Sequence, residues 1–247
     1  MAGFDAHDFL FREAAQRLAD RLLDIRRDFP LAFELGAKGG LMAKALRGGD
    51  GGRVGRLISL DMDAALLASD GPGIVADLEL PPLAPASADL VVGCLALHWV
   101  NDLPGLLAQI RQILKPGGLF LASMLGGGTL RELREAFLLA ESEISGGAAP
   151  RVIPMADIKD LGGLLQRARF DQPVADSEVL TAEYANPLAL LTDLQGMGEG
   201  NAMVQRSRRP MTRQVLLRMA QLYQERFSGP EGRVPASFEI LTLTGWA

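Results

Sequence analysis

The chain has 247 residues and a mass of 26.4 kDa, enough for one large domain with a substantial core. Apolar residues at 48% and charged residues at 22% are those of an ordinary globular chain, and they exclude collagen-like, coiled-coil and wholesale disordered classes. A net charge of -5 excludes a general nucleic-acid binder, because tracking phosphates needs an excess of basic residues. One cysteine, Cys94, permits no intramolecular disulfide, and the longest apolar run, Leu90 to Val100, falls far short of the ~20 residues of a membrane helix. The first residues carry acids and no basic segment ahead of an apolar run, so the expected location is the cytoplasm.

In chain order, Phe11, Ala15, Leu18, Leu22 and Ile25 recur at helical spacing and predict an amphipathic opening helix that ends before Pro30. A strand at Leu31–Leu35, a helix at Leu41–Arg47 and a strand at Val54–Leu60 follow, with a Gly-rich connection at Gly48–Gly52. Next come a helix near Ala64–Ser69, a strand at Ile74–Ala76, a Pro-rich loop, a strand at Asp89–Gly93 and a helix from Pro104 to Leu114. Lys115-Pro116-Gly117-Gly118 predicts a turn before a strand at Leu119–Met124. Beyond it the pattern reads as helices at Thr129–Ile144 and Met155–Arg169, a strand at Val174–Leu180, helices at Pro187–Leu194 and Met211–Phe227, and a last strand at Phe238–Thr244. Apolar strands alternating with helices predict an α/β fold, a doubly wound, mostly parallel sheet of seven strands. Residues 1–247 are read as a single domain, with extra helices forming a cap over approximately 129–154 and 186–230.

Ligands of such sheets bind beyond the carboxyl ends of the strands, which brings Glu34–Gly40, Asp61, Asp77 and Gly93–Trp99 to one crevice. A Gly-rich turn there lets backbone approach a ligand and aims helix N-terminal amides at its negative group. Asp61, about 25 residues after Gly36, is placed to accept from a ribose diol, and Asp77 to accept from an exocyclic amine. Each element alone is equally a turn or a helix cap; together they fit a nucleoside ligand.

The string Glu34-Leu35-Gly36-Ala37-Lys38-Gly39-Gly40 resembles the first motif of class I S-adenosylmethionine-dependent methyltransferases. Ser59-Leu60-Asp61-Met62, Ala76-Asp77, Asp89-Leu90-Val91-Val92 and Ile113-Leu114-Lys115-Pro116-Gly117-Gly118 resemble its later motifs in order. The resemblance implies S-adenosylmethionine as cofactor, S-adenosylhomocysteine as product, and Glu34, Gly36, Ala37, Gly40, Asp61, Met62, Asp77, Leu78 and Leu95 as the residues lining it. A narrower likeness, carried by Leu95 to Pro104, Gly127-Gly128-Thr129-Leu130, Asp193-Leu194-Gln195-Gly196-Met197-Gly198-Glu199 and Gly245-Trp246, is to the mitochondrial complex I assembly-factor group and its bacterial relatives. That likeness implies a protein substrate, such as a respiratory complex I subunit, and either methyl transfer or arginine hydroxylation. A more distant resemblance is to the malonyl-carrier-protein methyltransferases of biotin synthesis. A non-catalytic assembly factor with weak cofactor binding is a further reading, because Lys38 stands where the family has a glycine; there its side chain is expected to weaken binding without abolishing it.

His98 and Trp99, just beyond the fourth strand, are the candidate catalytic residues, His98 as base or substrate contact, with hydrogen-bonded packing as the alternative. Gln195, Gly196, Gly198 and Glu199 are expected to shape the substrate side of the crevice, or else to form a helix C-cap with Gly196 in the left-handed region. His7 reads as solvated in a frayed terminus, and Cys94 as a packed thiol. No Cys/His cluster has metal spacing, so no metal is expected. Arg206, Arg208, Arg209 and Arg213 form a basic cluster, read as a solvated helix start or a contact for an acidic partner.

Overall fold

Every residue of Ala88–Cys94 is buried in the computed structural model, as a strand covered on both faces must be. The structure describes residues 4–48, 53–67, 71–147, 149–203 and 211–247. In chain order the helices are α1 (Phe9–Leu23), α2 (Leu41–Gly48), α3 (Leu103–Ile113), α4 (Arg131–Ser145), α5 (Ile158–Arg167), α6 (Pro187–Met197) and α7 (Arg213–Phe227). The strands are β1 (Phe29–Leu35), β2 (Val54–Asp61), β3 (Gly73–Val75), β4 (Ala88–Cys94), β5 (Leu114–Leu125), β6 (Asp171–Tyr184) and β7 (Val234–Trp246), in the sheet order β3-β2-β1-β4-β5-β7-β6. Pairing is parallel from β3 through β5, and β7 runs antiparallel to β5 with Leu119 opposite Trp246 and Leu125 opposite Ile240. The expected α/β class with a seven-stranded, mostly parallel sheet is what forms.

Two compact units make up the chain. One comprises residues 9–126, 156–178 and 240–247; the other comprises residues 1–8, 127–155 and 179–239. The first holds the parallel strands. Its α1 buries Leu10, Phe11, Ala14, Ala15, Leu18, Ala19 and Leu22, the repeating apolar stripe that the sequence shows. On the sheet, Phe33, Leu107, Ile110, Leu161, Leu165 and Phe170 share one apolar cluster, in which Phe120 stacks on Phe170 at 5.4 Å between ring centroids.

Several bounds differ from the sequence reading. Lys115–Gly118 does not end the helix as a free turn but bulges within β5: Ala88 pairs with Leu114 and the next partners are Leu90 and Leu119. The bulge persists because Gly117, at φ 73, donates to the Ala247 carbonyl at 2.5 Å, and because the Lys115 ammonium bridges both oxygens of Asp89 at 2.9 Å. The expected helix at Ala64–Ser69 is a single 3-10 turn over Ala64–Leu66, capped by the Asp63 carboxylate; residues 68–70 lie outside the described residues, as do 49–52 of the Gly-rich connection. The α5 helix starts at Ile158 rather than Met155 because the Asp157 side chain caps it through Lys159 N–H.

In the second unit α4 packs along α7, with Arg218 bonded to Glu143 and Arg226 to Glu135 across the pair. The buried Glu132 takes the Ser237 hydroxyl at 2.6 Å and its N–H at 3.2 Å, and the Tyr223 hydroxyl donates to the Pro235 carbonyl. Replacing Phe120, which is wholly buried, with alanine should cost about 3–5 kcal/mol, read as a lower urea midpoint at unchanged m-value.

Candidate functional site

The strand order reverses between β1 and β4, and the turns leaving these two strands meet there. Gly36 follows β1 at φ 81, its N–H bonded to the Leu60 carbonyl at 2.8 Å. A Cβ at this position would collide with the Ala96 side chain in the turn after β4. The loop continues through Lys38, Gly39 and Gly40, all at positive φ. Its amides are largely committed: Ala37 N–H donates to Asp61 Oδ2 at 3.0 Å and Gly40 N–H to the Ala37 carbonyl at 2.8 Å. The expected role of this loop, presenting amides to a ligand, is therefore open only to the remaining backbone groups.

Two carboxyl groups lie behind the loop in different surroundings. Glu34 is only 1% exposed; its Oε2 accepts the Ser59 hydroxyl at 2.5 Å, and its Oε1 is buried with no hydrogen-bond partner. Loss of water raises its carboxyl to about 8, with the charge of Asp61 adding to the rise and the Ser59 hydrogen bond opposing it. Asp61, at the end of β2, accepts from Ala37 N–H and from Asp63 N–H at 3.0 Å, one bond on each oxygen. A carboxylate has about four lone-pair sites, so both oxygens keep capacity for a diol. Beside it Met62 is 68% exposed, and past β3 Asp77 is exposed, its Oδ1 taking Glu79 N–H at 2.9 Å, with Leu78 half-buried. Leu95 is wholly buried at φ 46, its N–H spent on the Ser123 carbonyl at 3.0 Å.

Lys38 does not crowd the loop from within. Its ammonium lies over the Phe11 ring of α1, 4.6 Å from the centroid, a cation–π contact. Cys94, at the end of β4, is the packed thiol expected: burial foremost pushes it up to about 12, and its Sγ lies 3.5 Å from the Phe11 carbonyl. His98 and Trp99 share a 3-10 turn over Leu97–Trp99, half-buried, with ring centroids 5.4 Å apart. The Leu125 N–H points at His98 Nδ1 at 3.5 Å, a long bond.

Gln195, Gly196, Gly198 and Glu199 belong to the other unit, at the end of α6. The left-handed residue there is Gly198, at φ 78, not Gly196: Gly198 N–H donates to the Gln195 carbonyl and Glu199 N–H to the Leu194 carbonyl, which closes the helix. Gly196 lies inside the helix, where a Cβ would strike the ring of His7. His7 is not solvated as expected; its Nδ1 sits 2.5 Å from Asp193 Oδ1 and its side chain is 27% exposed. Arg213 opens α7 and is exposed, whereas Arg206, Arg208 and Arg209 lie outside the described residues. Among the described residues no three His, Cys, Asp or Glu side chains converge as a metal site. Sequence reasoning missed Ser59, although strand alternation puts it on the same face as Asp61 and the β1–β2 register puts it opposite Glu34. It also missed Tyr184, for which no local signal exists, and quoted Asp193 only within the Asp193–Glu199 string without foreseeing its bonds to His7 and Tyr184.

The switch-point site, with its glycine loop and strand-end acids, has the layout of doubly wound enzymes of methyltransferase type. A methyltransferase domain model matches residues 33–122, from β1 into β5. Over 245 residues the chain is 41% identical to arginine-hydroxylase NDUFAF5, mitochondrial, of Mus musculus, covering 97% of this chain and 70% of that one. It is 29% identical over 259 residues to the malonyl-[acyl-carrier protein] O-methyltransferase of Gallionella capsiferriformans (strain ES-2), covering 99% of this chain and 86% of that one. In fold it matches phosphoethanolamine N-methyltransferase 2 of Haemonchus contortus, solved with S-adenosyl-L-methionine, with a TM-score of 0.59 at 14% identity, covering 99% of this chain and 56% of that one. The chain belongs to the NDUFAF5 arginine-hydroxylase family of methyltransferase-fold proteins, and the malonyl-carrier-protein enzymes are its more distant relatives.

The geometry yields two expectations. Gly36→Ala should lower stability by more than the ~1 kcal/mol or so that left-handed backbone alone costs a side chain, because Ala96 must also move; urea denaturation measures it. Glu34 binds its proton more tightly folded than unfolded, so its contribution is complete below about pH 4.5 and is lost as pH rises to about 8. Glu34→Gln should remove that slope and raise stability at pH 8 by on the order of a few kcal/mol, read from denaturation curves at pH 5 and 8.

Proposed function

We propose that the chain binds S-adenosylmethionine across the ends of β1 to β4 and modifies a side chain of a protein substrate, a subunit of respiratory complex I. The observation that carries the reading is Glu34: a wholly buried carboxyl with one oxygen unpartnered, beside a loop that cannot accept a Cβ, is a site completed by a cationic donor, which would draw off the proton that the carboxyl otherwise holds. The cofactor's amino group is such a donor. Asp61 keeps lone pairs for a ribose diol, and the bare Met62 side chain offers apolar cover to a purine face. The residues therefore fit the group, and when bound it supplies a methyl held on a sulfonium, an electrophile that needs no metal. Gly36 and Ala96 then hold the backbone close, Asp61 fixes the ribose, and Leu95 with Met62 excludes water from the ring; the contribution of these residues is positioning. His98, half-buried beside Trp99, would contact the substrate as a base or a hydrogen-bond partner. The name of the mouse relative makes an arginine the first side chain to examine.

Isothermal titration with S-adenosylmethionine tests the reading: saturable binding is expected, and none at millimolar cofactor removes it in favour of a non-catalytic assembly factor. Mass analysis of a complex I subunit after reaction then separates the gain of one methyl from the gain of one oxygen, and a modified malonyl-carrier protein instead would redirect the assignment to the biotin-pathway chemistry. Because the Lys38 ammonium is drawn to Phe11, Lys38→Gly should change cofactor affinity by no more than about threefold, well under the 1.4 kcal/mol of a decade. The crowding expected from sequence predicts tightening of tenfold or more, so one calorimetric comparison at fixed ionic strength decides between them.

A further inference from the structure

The segment that leaves β3 carries Asp77 and Leu78 to the strand-end site, and one residue in it, Glu79, is engaged through its amide, its carbonyl and its side chain. Its N–H donates to Asp77 Oδ1 at 2.9 Å. Its carboxylate oxygen Oε1 accepts the Asn101 N–H at 2.7 Å and the Asn101 side-chain amide at 2.8 Å. Its backbone carbonyl accepts the Gln109 side-chain amide at 2.8 Å. Asn101 directly precedes Asp102, the N-cap of α3, and Gln109 lies on that helix, so these bonds tie the segment after β3 to α3. The Asn101 N–H foremost holds the Glu79 carboxyl below its ordinary range, with the Asn101 side-chain amide and the Asp102 N–H adding to the effect, so the group stays an ionised acceptor.

The two residues so carried border the glycine loop. Ala76 N–H donates to the Asp61 carbonyl at 3.0 Å where the segment leaves the sheet, and Leu80 N–H returns to the Asp77 carbonyl at 3.2 Å. Leu78 Cδ1 lies 3.9 Å from where a Cβ on Gly36 would stand. Asp77 itself is exposed, so the direction of its carboxylate is set by the Glu79 N–H and not by burial. Among the described residues its Oδ2 forms no hydrogen bond.

We propose that Glu79 is a positioning residue for purine recognition: by clasping the segment after β3 to the start of α3, it holds Asp77 and Leu78 in place to select a 6-amino purine. The assignment rests on the reading of the chain as a binder of S-adenosylmethionine. A 6-amino group is a donor that the Asp77 carboxylate can meet, whereas a 6-oxo group sets an acceptor against an acceptor. Discrimination of this kind needs a fixed carboxylate, since one free to swing away escapes the repulsion along with the bond. A clasp that served stability alone would, on removal, weaken both purines by the same factor.

S-adenosylhomocysteine and its 6-oxo twin, S-inosylhomocysteine, are titrated calorimetrically into the protein and its variants. The native chain is expected to favour the adenosyl compound by about tenfold or more. Glu79→Ala should keep the fold by circular dichroism, bind the adenosyl compound several-fold more weakly and show a preference of about threefold or less. Glu79→Gln should restore the preference, because both Asn101 bonds fall on one oxygen and a carboxamide keeps one. Asn101→Ala, which removes a single side-chain donor from an exposed residue, should lower the preference by less, and it carries the test if Glu79→Ala fails to fold. No preference in the native protein, a preference unmoved in the two alanine variants, or none restored by Glu79→Gln overturns the proposal. A native protein that binds neither compound removes the cofactor reading and the proposal with it, so the two failures are distinguishable.

Discussion

Ala96 and position 36 can approach each other as they do only because residue 36 has no side chain. That contact joins the turn leaving β1 to the turn leaving β4 at the place where the sheet changes direction, and other parts of the site depend on it. With Gly36 pressed inward, Ala37 comes within reach of Asp61, and the carboxylate ties the end of β2 to the loop after β1. The loop then turns through three successive left-handed residues, Lys38 to Gly40, before α2 begins. One of these is a lysine, a residue for which that conformation is unfavourable, and its ammonium finds compensation on the face of Phe11.

Two acids placed within one neighbourhood have unlike surroundings. Asp61 keeps two backbone amides on its oxygens, whereas Glu34 is offered one hydroxyl and no charge of opposite sign. Environment, not residue type, thus makes Glu34 a carboxyl that carries its proton near neutral pH. The neighbouring strand register creates the difference, since Glu34 faces Ser59 across the β1–β2 pair.

Much of this was legible in the amino-acid sequence. The parallel strands and their helices follow from apolar periodicity, and so does the meeting of the glycine loop and Asp61 at the strand ends; the direction of individual side chains does not follow. Lys38 in place of a glycine reads as an obstruction until α1 is seen to bring Phe11 beneath it, a contact 27 residues away in sequence. Pro116-Gly117-Gly118 has the composition of a turn, yet the Asp89–Lys115 pair keeps both flanks in the sheet and converts it into a bulge. His7 looked free for the same reason: its partner Asp193 is 186 residues distant, and no local pattern encodes a bond of that span. In α6 the two glycines have opposite purposes, Gly198 for backbone handedness and Gly196 for space, which spacing alone cannot tell apart.

Cys94 carries one more consequence. It is the only sulfhydryl in the chain, it ends the central strand, and burial holds it protonated far above physiological pH. A thiol in that state is shielded from both alkylation and oxidation, since the reactive species is the thiolate and the surrounding core admits neither water nor reagent. Chemical labelling of the native protein therefore proceeds only through excursions that expose the end of β4. The rate of such labelling is a clock for the opening of the carboxyl end of this strand, built into the sequence and needing no introduced probe.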